Sequence, residues 1–140
     1  MPTVRRYGLI GYPLGHSFSA KYFTEKFDRE QIAAQYHNYA IGAIQDLPQL
    51  IVREGEQLLG FNVTIPYKEA ILPYLHEVSV VAQEIGAVNC VAVEWHAGRY
   101  RLKGYNTDAI GFGEHITPQL ANHRQALVLG TGGAAKAVTV

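Results

Sequence analysis

The sequence predicts an α/β fold, a three-layer α/β/α lobe on a mainly parallel mixed sheet. Two observations predict it. Short apolar runs alternate with amphipathic helical stretches along the 140 residues, the pattern of strands linked by crossovers. Two of the runs flank a tight glycine-containing loop, which adds one antiparallel hairpin to the parallel set.

The elements follow in order. Residues 7–10 are an apolar run ending in Gly11-Tyr12-Pro13, a strand and its turn. Residues 19–29 place Ala20, Phe23 and Phe27 on one helical face. Residues 35–41 read as a second strand, broken by Gly42, and 46–53 as a short amphipathic helix ending before Gly55. Residues 58–63 are a third strand. Residues 66–72 read as a helical turn or two, stopped by Pro73. Ser79 caps a helix to Ile85, and Gly86 stops it. Residues 89–95 and 99–103 flank His96-Ala97-Gly98, a three-residue hairpin loop. In its second arm Arg99, Arg101 and Lys103 face one way, Tyr100 and Leu102 the other. Asp108 is placed to cap a helix to Ile116. Residues 126–129 are an apolar strand, and Gly130-Thr131-Gly132-Gly133 turns into a last helix with no stop signal before Val140. There is no internal repeat and no low-complexity linker.

Composition narrows the function. Twelve basic and twelve acidic residues give zero formal charge, without the basic excess that nucleic-acid or membrane-surface binding needs. Three cations on one hairpin, Arg99, Arg101 and Lys103, do not change that. Hydrophobic residues make up 48% and charged residues 17%, a globular balance rather than a disordered one. Cys90 is the single cysteine, and the six histidines form no closely spaced pair, so no metal site is expected. No apolar run reaches membrane-spanning length, and the N-terminus lacks an apolar signal core. A cytoplasmic setting is expected, which leaves the Asn62-Val63-Thr64 glycosylation pattern without a route.

Polar residues cluster at the predicted strand ends, where open α/β sheets hold ligands. Ser17 and Ser19 stand at a helix N-terminus, where they either grip a carboxylate together or cap the helix. Asn62, Thr64 and Lys68 leave the third strand, and Lys68 is either a site residue or a solvated one. Asn89 either meets a ligand or satisfies its own turn, and Asp108 is either a site carboxylate or an N-cap. Gly130-x-Gly132-x-x-Ala135 follows an apolar run and opens a helix, the setting of a dinucleotide fingerprint. Gly130 permits the turn, Gly132 lets backbone approach a pyrophosphate, and Ala135 allows close packing. A glycine-rich loop without a ligand is the alternative. The ribose-reading residue, about 20 positions on, falls beyond Val140.

In this order the motifs resemble the shikimate dehydrogenase family. The matching stretches are 11–19, 62–68, 85–89, Asn106-Thr107-Asp108 with Gly111-Phe112, and 130–134. The resemblance implies a shikimate-binding catalytic domain at 1–107, a connecting helix at 108–124, and the start of an NADP-binding Rossmann domain at 125–140, truncated and incomplete. It implies substrate binding by Ser17, Ser19, Asn62, Thr64, Lys68, Asn89 and Asp108. It implies cofactor binding by Gly130, Thr131, Gly132, Gly133 and Ala134. The implied reaction is the reversible NADPH-dependent reduction of 3-dehydroshikimate to shikimate in aromatic amino acid biosynthesis. Lys68 is the expected acid/base, with Asp108 orienting it as the second catalytic residue. The family commonly has a basic residue and a proline where Phe18 and Ala20 stand, and a polar residue in place of Phe23. The 140 residues alone are expected to be inactive. The alternative is a non-catalytic shikimate-binding domain or small-molecule sensor on the same fold. A severed strand at 126–129 is expected either to pair with a second copy, giving a homodimer, or to pack on the substrate lobe.

Overall fold

The computed structural model describes residues 3–15 and 17–140; the sequence readings that involve Met1, Pro2 and His16 lie outside them. Strand β1 (Arg5–Gly11) is central because its alternate residues must be buried on both faces. Helix α1 (Phe18–Arg29) covers one face beside β2 (Ala34–Ala40). There Phe27 meets Tyr7 with ring centroids 6.0 Å apart, and Phe23 stacks on Tyr36 at 4.9 Å. Ile10, three residues after Tyr7, points to the opposite face. On that side it packs with Leu47, Leu50 and Ile51 of α2 (Leu47–Glu54), and with Leu58, Phe61 and Val63 of β3 (Leu58–Val63). Glu54 ties α2 to the sheet, accepting from the Tyr39 hydroxyl at 3.1 Å and Arg6 at 3.3 Å.

Beyond β3 come β4 (Glu77–Val78), α3 (Val80–Ile85), β5 (Cys90–His96), β6 (Arg99–Tyr105), α4 (Asp108–Leu120) and α5 (Gly133–Val138). The strand order is β2-β1-β3-β5-β6-β4. Three of the five pairings are parallel, so the sheet is mixed and mainly parallel, as the alternating pattern predicts. Ser79 caps α3, accepting from the Ala82 N–H at 3.2 Å, and Gly86 ends it as expected. No helix among the described residues is long and apolar enough to cross a membrane.

Five expectations need correction. Residues 66–72 form turns rather than an α-helix, because the Lys68 carbonyl is taken by the Val88 N–H at 2.8 Å instead of a helical partner. Pro73 sits inside a 3₁₀ turn (Leu72–Tyr74), where its missing N–H costs nothing. The hairpin loop has two residues, not three. His96 pairs with Arg99, and Ala97 and Gly98 both take positive φ (50° and 74°), which matches the twist of the strands. The fourth helix runs past Ile116 to Leu120, with Pro118 inside it. Residues 126–129 form no strand. Leu127 and Leu129 are 83% and 88% exposed, so the segment does not pack on the lobe. An apolar run becomes a strand only against a partner edge, and none of the six strands pairs with it.

The core predicts a first outcome. Ile10 is fully buried between α2 and the sheet, so Ile10→Ala lowers stability by about 2–5 kcal/mol in urea denaturation.

Candidate active site

The site forms where β1 and β3 end side by side. The Thr64 N–H donates to the Ile10 carbonyl at 2.9 Å, and the Tyr12 N–H to the Ile65 carbonyl at 3.1 Å. Gly11 makes this approach feasible, since a Cβ there would lie 2.5 Å from Thr64 Cγ2 and 3.0 Å from the Ile65 carbonyl. The two loops enclose an open cleft of about 400 Å³ lined by Ser17, Ser19 and Thr64 among apolar neighbours. Ser17 is the N-cap of α1, its hydroxyl accepting from the Ala20 N–H at 3.1 Å, while Ser19 is the second helical residue. One of the two serines is therefore a cap, and both still face the same cleft.

Thr64 also lines a second, larger cleft of about 910 Å³, together with Lys68, Gly130, Gly132, Gly133 and Ala134. Here Lys68 leaves the solvated role. Its ammonium lies 2.8 Å from Asp108 Oδ2, with the lysine side chain only 19% exposed. Asn89 donates to the other oxygen, Oδ1, at 3.0 Å and to the Thr107 hydroxyl at 2.9 Å, and its Oδ1 accepts from the Thr107 N–H at 2.9 Å. Asn89 thus satisfies its own turn and holds the carboxylate at once.

Asp108 is not the N-cap. Thr107 occupies that position without a side-chain cap bond, and the buried Asn106 does the capping. Its Oδ1 accepts from the N–H groups of Asp108 (3.0 Å) and Ala109 (3.4 Å), while its amide donates to the Ala87 carbonyl at 3.0 Å. With its backbone held this way, the Asp108 carboxylate is left for Lys68 and Asn89.

Asn62 lies deeper. It accepts from the Tyr36 hydroxyl at 2.9 Å and donates to the Asn89 carbonyl at 3.4 Å, on the sheet face under α1. Tyr36 was not singled out by the sequence, because nothing local marks a β2 tyrosine as polar in role. Burial pushes its phenol up to about 12, with the Ser19 hydroxyl beside it acting the other way. The phenol therefore remains a donor throughout the neutral range. Burial also pushes the Cys90 thiol up, which makes it a poor nucleophile.

The glycine-rich turn is suited to a phosphate-bearing group. Gly130 has φ +135°, which disfavours other residues, and nothing lies within 4 Å of the position a Cβ would take on Gly132. Thr131 is exposed and is not among the residues lining the larger cleft.

The fold and site are those of an α/β substrate lobe whose strand ends face a glycine-rich turn. Residues 9–91 match the shikimate dehydrogenase substrate binding domain, and the chain belongs to that family. It is 41% identical over 138 residues to the NADP(+) shikimate dehydrogenase of Dictyoglomus thermophilum, covering 98% of this chain and 49% of that one. Among solved structures, shikimate dehydrogenase 1 of Peptoclostridium difficile superposes with a TM-score of 0.81 at 35% identity, covering 96% of this chain and 51% of that one. The Thermus thermophilus enzyme in complex with shikimate gives 0.81 at 36% identity, covering 96% and 50%. The chain spans about half the length of the curated relatives it matches.

Two outcomes follow from this geometry. Asn106→Ala leaves two α4 amides and a buried carbonyl without their partner, so it costs about 1–3 kcal/mol. Hydrogen exchange at Asp108 and Ala109 should quicken while the sheet amides stay protected. For Tyr36 the folded pKa lies above the unfolded one, so its contribution to stability is complete below pH about 10 and falls away towards pH about 12. Urea midpoints between those pH values should decline less in Tyr36→Phe than in the parent chain.

Proposed function

We propose that this chain is the substrate-binding and acid/base lobe of an NADP-dependent shikimate dehydrogenase. The observation that carries the reading is the Lys68–Asp108 pair at the edge of a cleft whose other wall is the glycine-rich turn. Residues 1–107 are read as the substrate lobe, 108–124 as the connector and 125–140 as the start of the cofactor lobe.

Ser17 and Ser19 hold the shikimate carboxylate at the N-terminus of α1, where hydroxyls and the helix dipole both favour an anion. Thr64, Lys68, Asn89 and Asp108 face the ring hydroxyls, with Asn62 bracing the floor. The backbone of Gly130, Thr131, Gly132, Gly133 and Ala134 would hold the cofactor phosphates. When bound, NADPH supplies the hydride that reduces the ring carbonyl of 3-dehydroshikimate. As negative charge develops on that oxygen, Lys68 donates a proton from Nζ and becomes a neutral amine. In the reverse direction the neutral amine takes the proton of the shikimate hydroxyl. Asp108 keeps Nζ in place and accepts from a neighbouring hydroxyl. A homodimer through the exposed 126–129 segment belongs to the same proposal, and sedimentation of the chain tests it.

Calorimetry tests the binding part. The chain should bind shikimate, and Ser19→Ala should weaken binding about 10- to 100-fold, the worth of a hydrogen bond to a charged group. No heat with shikimate refutes it. For the chemistry, the chain is fused to the cofactor half of a relative. Lys68→Ala should then lower turnover about 10²–10⁴-fold. Near-normal turnover in that variant refutes the acid/base role. Shikimate binding with no turnover in the parent fusion favours the sensor reading instead.

A further inference from the structure

Gly133 is a glycine for reasons its own backbone does not explain. It is the first residue of α5, and it is not among the glycines at positive φ. Alanine would suit that position and favour the helix. What glycine provides is space. A Cβ there would lie 3.1 Å from Lys68 Cβ, 3.3 Å from Lys68 Cδ and 3.3 Å from Ala87 Cβ. The same helix touches this stretch of chain twice more. Lys136 pairs with Glu69, next to Lys68, at 3.0 Å, and Ala137 is buried against Ile85 and Ala87.

We propose that Gly133 is a positioning residue for Lys68. Seated on the lysine stem, it lets α5 hold the ammonium on Asp108, and the Lys136–Glu69 pair keeps the helix in register. The turn that lines the larger cleft then also sets the acid/base group, so a displacement of one displaces the other. This rests on Lys68 being the acid/base of the proposed site. The packing itself is testable without substrate.

The test is the acetylation rate of Lys68 in the 140-residue chain, read by mass spectrometry relative to the exposed Lys21. Gly133→Ala should raise that ratio about 3- to 10-fold, as overpacking pushes the stem away from Asp108. Asp108→Asn sets the upper limit. Lys26 and Lys103, paired elsewhere, should not change. An unchanged Lys68 ratio in folded Gly133→Ala, or an equal rise at all three lysines, overturns the proposal. If that variant fails to fold, Lys136→Glu and the swap Glu69→Lys/Lys136→Glu decide. A rise that the swap reverses supports it; no rise, or a rise the swap leaves in place, overturns it. Shikimate titration of the parent chain is read separately, so failure of the binding reading does not disguise the labelling result.

Discussion

The pair at the centre of the site joins residues 40 positions apart, and Asn89 is the constraint that brings them together. Its backbone N–H donates to the Tyr105 carbonyl at 3.0 Å, at the end of β6, and its carbonyl accepts from Val63 at 2.8 Å, at the end of β3. Its side chain then reaches over to Thr107 and Asp108. One buried amide thus fastens two strand ends and the start of α4 at a single point. Leaving such a group unpaired would cost about 1–3 kcal/mol, which makes the arrangement self-enforcing. Lys68 arrives by the neighbouring route, since its own carbonyl is held by Val88 one residue away.

From this point a polar chain runs across the sheet. Tyr36 holds Asn62, Asn62 reaches the Asn89 carbonyl, and Asn89 holds the carboxylate that holds Lys68. The small cleft with the two serines and the large cleft with the glycine-rich turn share Thr64. The serine hydroxyls at the start of α1 and the Lys68 ammonium are thereby set on either side of one residue. A ring carrying a carboxylate and hydroxyls has that same distribution of chemistry.

What was legible in the sequence was local. Ser79 and Gly86 bound α3 through contacts within a few residues, short apolar runs located β1 and β3, and alternation marked the second hairpin arm. What was not legible depended on distant partners. Glu77–Val78 is a strand only because β6 lies alongside it, a link reinforced by Lys103 and Glu77 at 2.9 Å. Residues 66–72 lose a helix to a tertiary hydrogen bond. Residues 126–129 have the composition of a strand and pair with none of the sheet's strands. At the site, residue types were readable but their division of labour was not. Asp108 and Asn106 are both good caps, and only the fold shows that Asn106 takes the task and frees the carboxylate. Tyr36 carries no local mark at all.

The three positions that the sequence reading sets apart from the family pattern, Phe18, Ala20 and Phe23, lie beside the polar groups, and the structure shows what each packs against. Phe18 is 80% exposed and rests its ring on Tyr22, at 5.9 Å, rather than on either serine. Ala20 keeps the N–H that a proline would lack, and that N–H is the one Ser17 caps. The third, Phe23, stacks its ring on Tyr36 at 4.9 Å. Stacking orients the phenol that donates to Asn62, so Phe23 supports the polar chain by shape. Asn62 is thus fixed beneath the cleft by the Tyr36 hydroxyl, and the ring that carries that hydroxyl is held by aromatic packing.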